Sequence, residues 1–360
     1  MKKRILALVL AGVLGVSVLT GCSGINKSAT IATANGMEVS MGVANFYCRL
    51  QQASAEDMYK SYFGDDVWNQ DLAGNGTTMQ ESLKESALEE LHEMYTLQQH
   101  MGDYGVELTE EEKTAITEAA TAFMSGNSNE AVQEMGATQE IVEEFLTLFT
   151  IREKMQDAIE ADADVQVSDE EANMRGYTKL EIAIDSHTDE DGNSVDYTED
   201  EVTALKAQAE EMVAALAEEG ATLESVAEDF GYKTTTETYA TYEAEATEGE
   251  DEDTDTEEDP VEAALKSMAE GEVSGVVETE DALYIVRVDS DTDEEATESN
   301  RESIISERQS AYYDEVLAGW QEEDGWEVDS KLLAKIQFKN SLTTVDPNAA
   351  EKADVTESAE

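Results

Sequence analysis

Basic residues are scarce in this chain: 22 Lys and Arg stand against 84 Asp and Glu, a formal net charge of -62 over 360 residues. A surface of that sign repels phosphate backbones, which excludes nucleic acid as a partner. Proline is almost missing, with two residues, so few points force a helix to stop, and the abundant Ala, Glu, Leu and Met favour helix. Histidine is limited to His92, His100 and His187 and cysteine to Cys22 and Cys48. No zinc-ligand spacing, Ser-His-Asp or Cys-His arrangement or phosphate loop occurs, so the sequence points to no metal and no cofactor. Asp185 to Thr198 has the length of a calcium loop around Gly192, but His187 and Thr198 fall where carboxylates are needed.

What is present begins with a targeting pattern. Lys2, Lys3 and Arg4 precede the apolar run Ile5 to Leu14, too short to span a bilayer, and Leu19-Thr20-Gly21-Cys22 has the form of a bacterial lipobox. The expectation is a signal peptide over 1–21, cleavage before Cys22, and a lipid on its thiol; the alternative is an ordinary signal peptide with an incidental Cys. Without the three signal-peptide cations, 19 bases face 84 acids, or -65. Each buried methylene of an acyl chain contributes about 0.8 kcal/mol, so a multiply acylated terminus holds the chain to the extracytoplasmic face of the cell membrane. Cys48 then has no disulfide partner within the chain. It sits in the helical pattern VANFYCRL and reads as a small buried hydrophobe.

After a tether over 22–29, residues 30–165 read as a helical domain. TIATANGMEV suggests two short strands about an Asn-Gly turn, and Ser40 caps a helix running towards Phe63. Thr78-x-x-Glu81 and Thr109-x-x-Glu112 match capping boxes, and a further helix starts near Thr138. The apolar stripes are core by default. The sharper alternative is that Met58, Tyr59, Tyr62, Phe63 and Trp68 line a cleft for unfolded chains, because Met and aromatics adapt to varied partners.

Residues 166–292 read as a smaller module: a strand at Lys179 to Ile184, a helix opened by Thr198-x-x-Glu201, a short helix from Leu223, and Gly271 to Asp289, GEVSGVVETEDALYIVRVD, as a β-hairpin. Glu248 to Asp259 holds nine acids in twelve residues and reads as a solvated, disordered loop within about 243–259, with weak calcium binding as the alternative. Residues 293–338 carry a long C-terminal helix, and 339–360 read as a disordered tail. The fold class is therefore α+β, a helical domain with an inserted small α/β domain.

The GEVS hairpin, with a first strand at Lys179 to Ile184, resembles the closing segment of a parvulin-type prolyl isomerase domain. Together with the lipobox and the TANGMEVS…NFY start, it resembles the PrsA and SurA class of extracytoplasmic foldases over residues 19 to 335. The resemblance implies a discontinuous helical chaperone domain closed by the C-terminal helix. It implies a membrane-anchored foldase of the peptidyl-prolyl cis-trans isomerase family, with unfolded or partly folded secreted polypeptides as partners. A catalytically inactive holdase, or a surface lipoprotein with one dedicated protein partner, are the alternatives.

Carried over position by position, the two parvulin histidines fall at Glu181 and Tyr284. Neither is His, so no catalytic residue is assigned with confidence and isomerase activity stays open. The two degenerate positions can face one another across the sheet as a hydrogen-bonded pair, a residual active site, the alternative being a parvulin shape whose chemistry is lost; Cys22 is the expected lipid anchor.

Overall fold

A computed structural model describes residues 13–16, 25–188, 192–242 and 259–345. The expected lipid anchor Cys22, most of the signal segment, the acidic stretch 243–258 and the tail beyond 345 lie outside them. The described residues form two compact units, one of residues up to 163 together with those from 310 onward, the other of residues 164–309.

In chain order, β1 (Val13–Val16), β2 (Thr30–Ala34) and β3 (Met37–Ser40) precede α1 (Met41–Phe63), and a 3-10 turn at Val67–Asn69 leads to α2 (Met79–Gln99). Then come α3 (Glu110–Gly126), α4 (Asn129–Glu134) and α5 (Gln139–Asp162). The second unit contains α6 (Asp169–Ala172), β4 (Met174–Ala183), β5 (Ser186–Thr188), β6 (Ser194–Asp196), α7 (Glu199–Ala215), α8 (Leu223–Asp229) and β7 (Thr234–Ala240). It continues through α9 (Pro260–Ser267), β8 (Val277–Glu278) and β9 (Ala282–Ser290). Helix α10 (Glu294–Glu323) belongs to the second unit in its first half and to the first unit from residue 310, where β10 (Glu327–Val328), α11 (Ser330–Leu333) and β11 (Leu342–Val345) follow.

Local chemistry accounts for the boundaries. Asn35 and Gly36 both have positive φ, 46° and 83°, which joins β2 to β3 through a turn that only residues tolerant of the left-handed region can make. Ser40 Oγ accepts from the Val43 N–H and starts α1. Thr109 and Glu112 exchange the two hydrogen bonds of a capping box at α3, as Thr198 and Glu201 do at α7. Pro260 occupies the first position of α9, where its missing N–H removes no helical bond.

The first unit is built around Phe46, which meets Phe123 and Phe145 edge to face at 5.5 and 5.6 Å, with Leu91, Met94 and Leu146 fully buried beside them. Cys48 is buried in this core, and burial pushes its thiol up to about 12, which suits a packing residue and not a nucleophile. A three-stranded sheet β10-β2-β3 lies in the same unit. Trp326 stacks on His92 at 4.2 Å, and His92 Nε2 lies 2.5 Å from Asp324 Oδ2.

One expectation needs correction here. The tail was read as disordered from residue 339, yet Asn340, Ser341 and Leu342 are held by buried side chains of α1, and β11 continues to Val345, paired antiparallel with β1 in the segment read as signal peptide. Helix α10 passes from the second unit into the first at residue 310, and its first half is tied to the second unit. There Arg301 donates to the Val167 carbonyl and pairs with Asp169, and Arg308 pairs with Glu171.

Candidate functional site

The second unit centres on an antiparallel sheet in the order β7-β4-β9-β8. Alternation splits its side chains between two faces. Leu180 and Ile182 of β4 and Leu283 and Ile285 of β9 form one core with Met212 of α7 and Leu223 and Val226 of α8. On the other face Tyr177, Val286 and Val288 pack with Val261 and Leu265 of α9 and with Met268 and Tyr239. That second face also carries Lys179 and Glu237, together with Glu181 and Tyr284, the two positions at which the resemblance places parvulin-type chemistry.

Glu181 and Tyr284 are direct register partners on β4 and β9, so the strand pairing brings the two expected positions together. Among the described residues no hydrogen bond joins them, which corrects the expected hydrogen-bonded pair: a third residue intervenes. Lys179, on the same face, has its Nζ 5.8 Å from the centre of the Tyr284 ring, 3.8 Å from Glu181 Oε2 and 2.9 Å from Glu237 Oε1. The ammonium thus satisfies the carboxylates and leaves the Tyr284 hydroxyl without a partner among the described residues.

The electrostatics hold Tyr284 and Lys179 protonated and Glu237 ionised near neutral pH. Burial, and then the Glu181 charge, push the Tyr284 hydroxyl up, so it remains an O–H donor. The hydrogen bond to Glu237 raises Lys179, and the same bond together with that from the Tyr177 hydroxyl at 2.7 Å holds Glu237 below the usual carboxylate range. None of these three groups is poised to exchange a proton near pH 7. The face can offer a free hydroxyl donor and a neutralised cation to a peptide group, but not an imidazole pair. The three histidines lie elsewhere: His92 and His100 on and just after α2, and His187 on β5, stacked at 4.6 Å on Tyr197.

One residue that sequence reading missed organises the apolar end of this face. Arg175 donates to the Tyr239 hydroxyl and to the Leu265 and Met268 carbonyls, and pairs with Asp291, so it closes α9 onto the sheet. An arginine two residues before Tyr177, on a strand of otherwise alternating pattern, was the available signal. Met268, 9% exposed, packs on this face with Val261 and Leu265.

In the first unit the proposed cleft residues separate. Tyr62, Met58 and Phe63 are exposed, at 78%, 54% and 47%, whereas Trp68 is buried, 5.2 Å from Phe338 and 5.8 Å from Tyr59. Among the described residues there is no group of three or more His, Cys, Asp and Glu placed to hold a metal ion, and no helix long and apolar enough to cross a membrane.

Residues 187–300 match the family model of the PPIC-type PPIASE domain. The second unit is therefore a parvulin-type domain; the matched stretch holds Tyr284, while β4, which carries Glu181, precedes it. Across most of its length the chain is similar to solved structures of PrsA foldases and SurA-like chaperones. One is the foldase protein PrsA of Streptococcus pneumoniae, 17% identical, covering 74% of this chain and 97% of that one with a TM-score of 0.28. Others are a SurA-like chaperone of Campylobacter jejuni, 10% identical, covering 84% and 99% with a TM-score of 0.28, and PrsA of Bacillus subtilis, 14% identical, covering 86% and 98% with a TM-score of 0.23. At these identities and scores the likeness assigns no residue of this chain a role. No curated protein matches the chain.

Proposed function

We propose that this chain is a lipid-anchored extracytoplasmic foldase that holds unfolded secreted polypeptides and whose parvulin-type domain binds X-Pro segments with little or no catalysis. The observation that carries the reading is the occupancy of the sheet face. The parvulin-type domain is present, but Glu181 and Tyr284, which stand where the resemblance puts the two histidines, are register partners without an imidazole, and Lys179 pairs with Glu181 and Glu237. Rotation about an X-Pro bond crosses roughly 18–20 kcal/mol, and lowering it requires groups that weaken amide resonance in an apolar pocket. A single neutral hydroxyl beside a paired ammonium is a binding surface first. The exposed Met58, Tyr62 and Phe63 give the helical unit an adaptable apolar surface of the kind that unfolded chains require. Anchoring rests on the lipobox ending at Cys22, and the absence of nucleic-acid binding on the net charge of -62.

The test is X-Pro peptide isomerisation by the form lacking residues 1–22, alongside suppression of aggregation on the same sample. Suppressed aggregation with an isomerisation rate within about twofold of the uncatalysed one is expected. Rate acceleration abolished by Tyr284→Phe would assign catalysis to the sheet face instead, and neither activity would remove the foldase reading in favour of a dedicated-partner lipoprotein. Cys22→Ala is expected to release the chain from membranes, and its retention there would count against lipidation.

A further inference from the structure

Helix α1 turns a buried polar stripe towards the chain's own C-terminal segment. Arg49, Gln52 and Glu56, three and four residues apart on one face, are 1%, 0% and 0% exposed. Arg49 donates to the Gln337 carbonyl at 3.1 Å and the Asn340 carbonyl at 3.3 Å, and Gln52 Nε2 donates to the Asn340 carbonyl at 3.1 Å. The Leu342 N–H donates to Glu56 at 2.8 Å, and Lys84 of α2 donates to the Ile336 carbonyl at 3.3 Å. These contacts read main-chain groups, which any residue type supplies. Side chains add less: Ser341 Oγ donates to Glu56 and Asn340 Nδ2 to Glu134.

The resident segment does not use all that the groove offers. Four buried side-chain polar atoms among the described residues lack a hydrogen-bond partner, and three of them, Arg49 Nε, Gln52 Oε1 and Trp68 Nε1, belong to this region. Each such group forfeits a hydrogen bond and so invites an explanation. Trp68, 3% exposed, lines a cavity of about 430 Å³ together with Lys60, Asp65, Gln80, Phe338 and Lys339. The Lys339 amine has no partner among the described residues. Nearly two turns beyond Glu56 on the same helix stand the exposed Tyr62 and Phe63, with the exposed Met58 between.

We propose that this groove is a main-chain-reading site for an extended segment of an unfolded polypeptide, and that Ile336–Leu342 is its resident occupant, displaced when a client enters. The proposal rests on the reading of the chain as a client-holding foldase. The ligand class follows from the donors and acceptors: two carbonyls and an N–H within six residues of irregular chain are satisfied by side chains of one helix, with little call on the residues' own side chains. An incoming segment with a carbonyl opposite Trp68 Nε1 and apolar side chains towards Tyr62 and Phe63 makes contacts that the resident lacks. Because the resident is tethered, it competes at a high effective concentration, so clients bind reversibly.

The test titrates a fluorescein-labelled peptide of residues 334–345 against the full chain and against a Phe338→Ala, Leu342→Ala variant, in which the resident is loosened. The variant is expected to bind the peptide at least tenfold more tightly than the unaltered chain. N-methylation of the peptide at the Leu342 nitrogen is expected to abolish binding, and Trp68→Phe in the same background to leave this resident-sequence peptide unaffected while weakening a reduced, carbamidomethylated model client several-fold. Equal affinity of the two chains, or no binding by either, would overturn the proposal. Should circular dichroism show the variant unfolded, hydrogen exchange on the unaltered chain decides: saturation with the same model client is expected to deprotect the Leu342 amide, and unchanged protection would overturn the proposal. Peptide binding without any suppression of aggregation would uphold the groove and remove the foldase reading.

Discussion

Helix α1 and strand β4 each carry a row of charged residues, and the fold treats the two rows in opposite ways. Arg49 and Glu56 on α1 are buried to the last atom or nearly so, whereas on β4 the side chains of Lys179 and Glu181 keep 21% and 50% of their exposure and their partner Glu237 keeps 42%. Exposed ion pairs contribute about 0–1 kcal/mol because water and salt screen them. Removing one member of a buried pair costs about 3–5 kcal/mol, mostly because the other is left stranded. A chain with so few cations has placed one of them where its loss is felt most. It satisfies other acids with tyrosine hydroxyls: Tyr95 donates to Glu144 at 2.8 Å, Tyr313 to Glu93 at 2.7 Å, and Tyr47 to Glu90.

The largest effect that would sharpen this contrast is at Arg49. Arg49→Met keeps most of the volume but takes from Glu134 the cation 2.6 Å from its carboxylate, leaving it the Asn340 amide, and leaves the Gln337 and Asn340 carbonyls short of a donor. A loss of about 3–5 kcal/mol is expected. Trp68, Trp320 and Trp326 all lie in the first unit, so tryptophan fluorescence in urea follows that unit alone. A loss below about 1 kcal/mol would show that α1 behaves like the exposed row on β4.

Glu56 gives the same row a pH signature. Burial on its own would raise its carboxyl, but hydrogen bonds from Lys60, Ser341 and the Leu342 N–H outweigh that and hold it below 4.5. A carboxylate lowered on folding stabilises the fold fully above its unfolded value and loses that contribution as pH falls through its folded one. The first unit should therefore lose stability as acid is added below about pH 4.5, and Glu56→Gln should flatten that part of the curve while lowering stability at pH 7. An unchanged acid limb in urea titrations at successive pH values would place the acid sensitivity elsewhere.

What could be read from the sequence follows the same division. Capping boxes at Thr109 and Thr198, the Asn35-Gly36 turn and the apolar spacings of α1, α2 and α5 are local signals, and the elements they announce are present. The hairpin of β8 and β9 was legible, and with it the pairing that sets Glu181 opposite Tyr284. Strand β7, TTTETYA, was not: it is an edge strand on which only Tyr239 is buried, so no alternation marks it. Lys179 and Arg175 were missed because their roles depend on partners dozens of residues away. The polar stripe of α1 looks in sequence like a solvated face, and Lys339-Asn340-Ser341 like a tail. Each conceals the other, since a buried polar residue is recognisable only once its partner is in place.

The smallest expected effect lies on the opposite face of the β4 sheet, where Arg287 meets Glu224 of α8 through two bonds of 2.7 and 3.0 Å and Asp289 through a third of 2.6 Å. This geometry is bidentate, like the best buried pairs, but the Glu224 side chain is 48% exposed. The Arg287 hydrogen bonds hold the Glu224 carboxyl down at about 2, so its contribution is complete above 4.5 and fades as pH falls towards 2. Solvent screening keeps that contribution to roughly 0.5–1 kcal/mol. Glu224→Gln should accordingly cost the second unit about that much at pH 7, less at high salt, and nothing below about pH 2, measured by hydrogen exchange of the β9 amides. A cost approaching that of Arg49→Met would mean that bidentate geometry, and not burial, sets the strength of ion pairs in this chain.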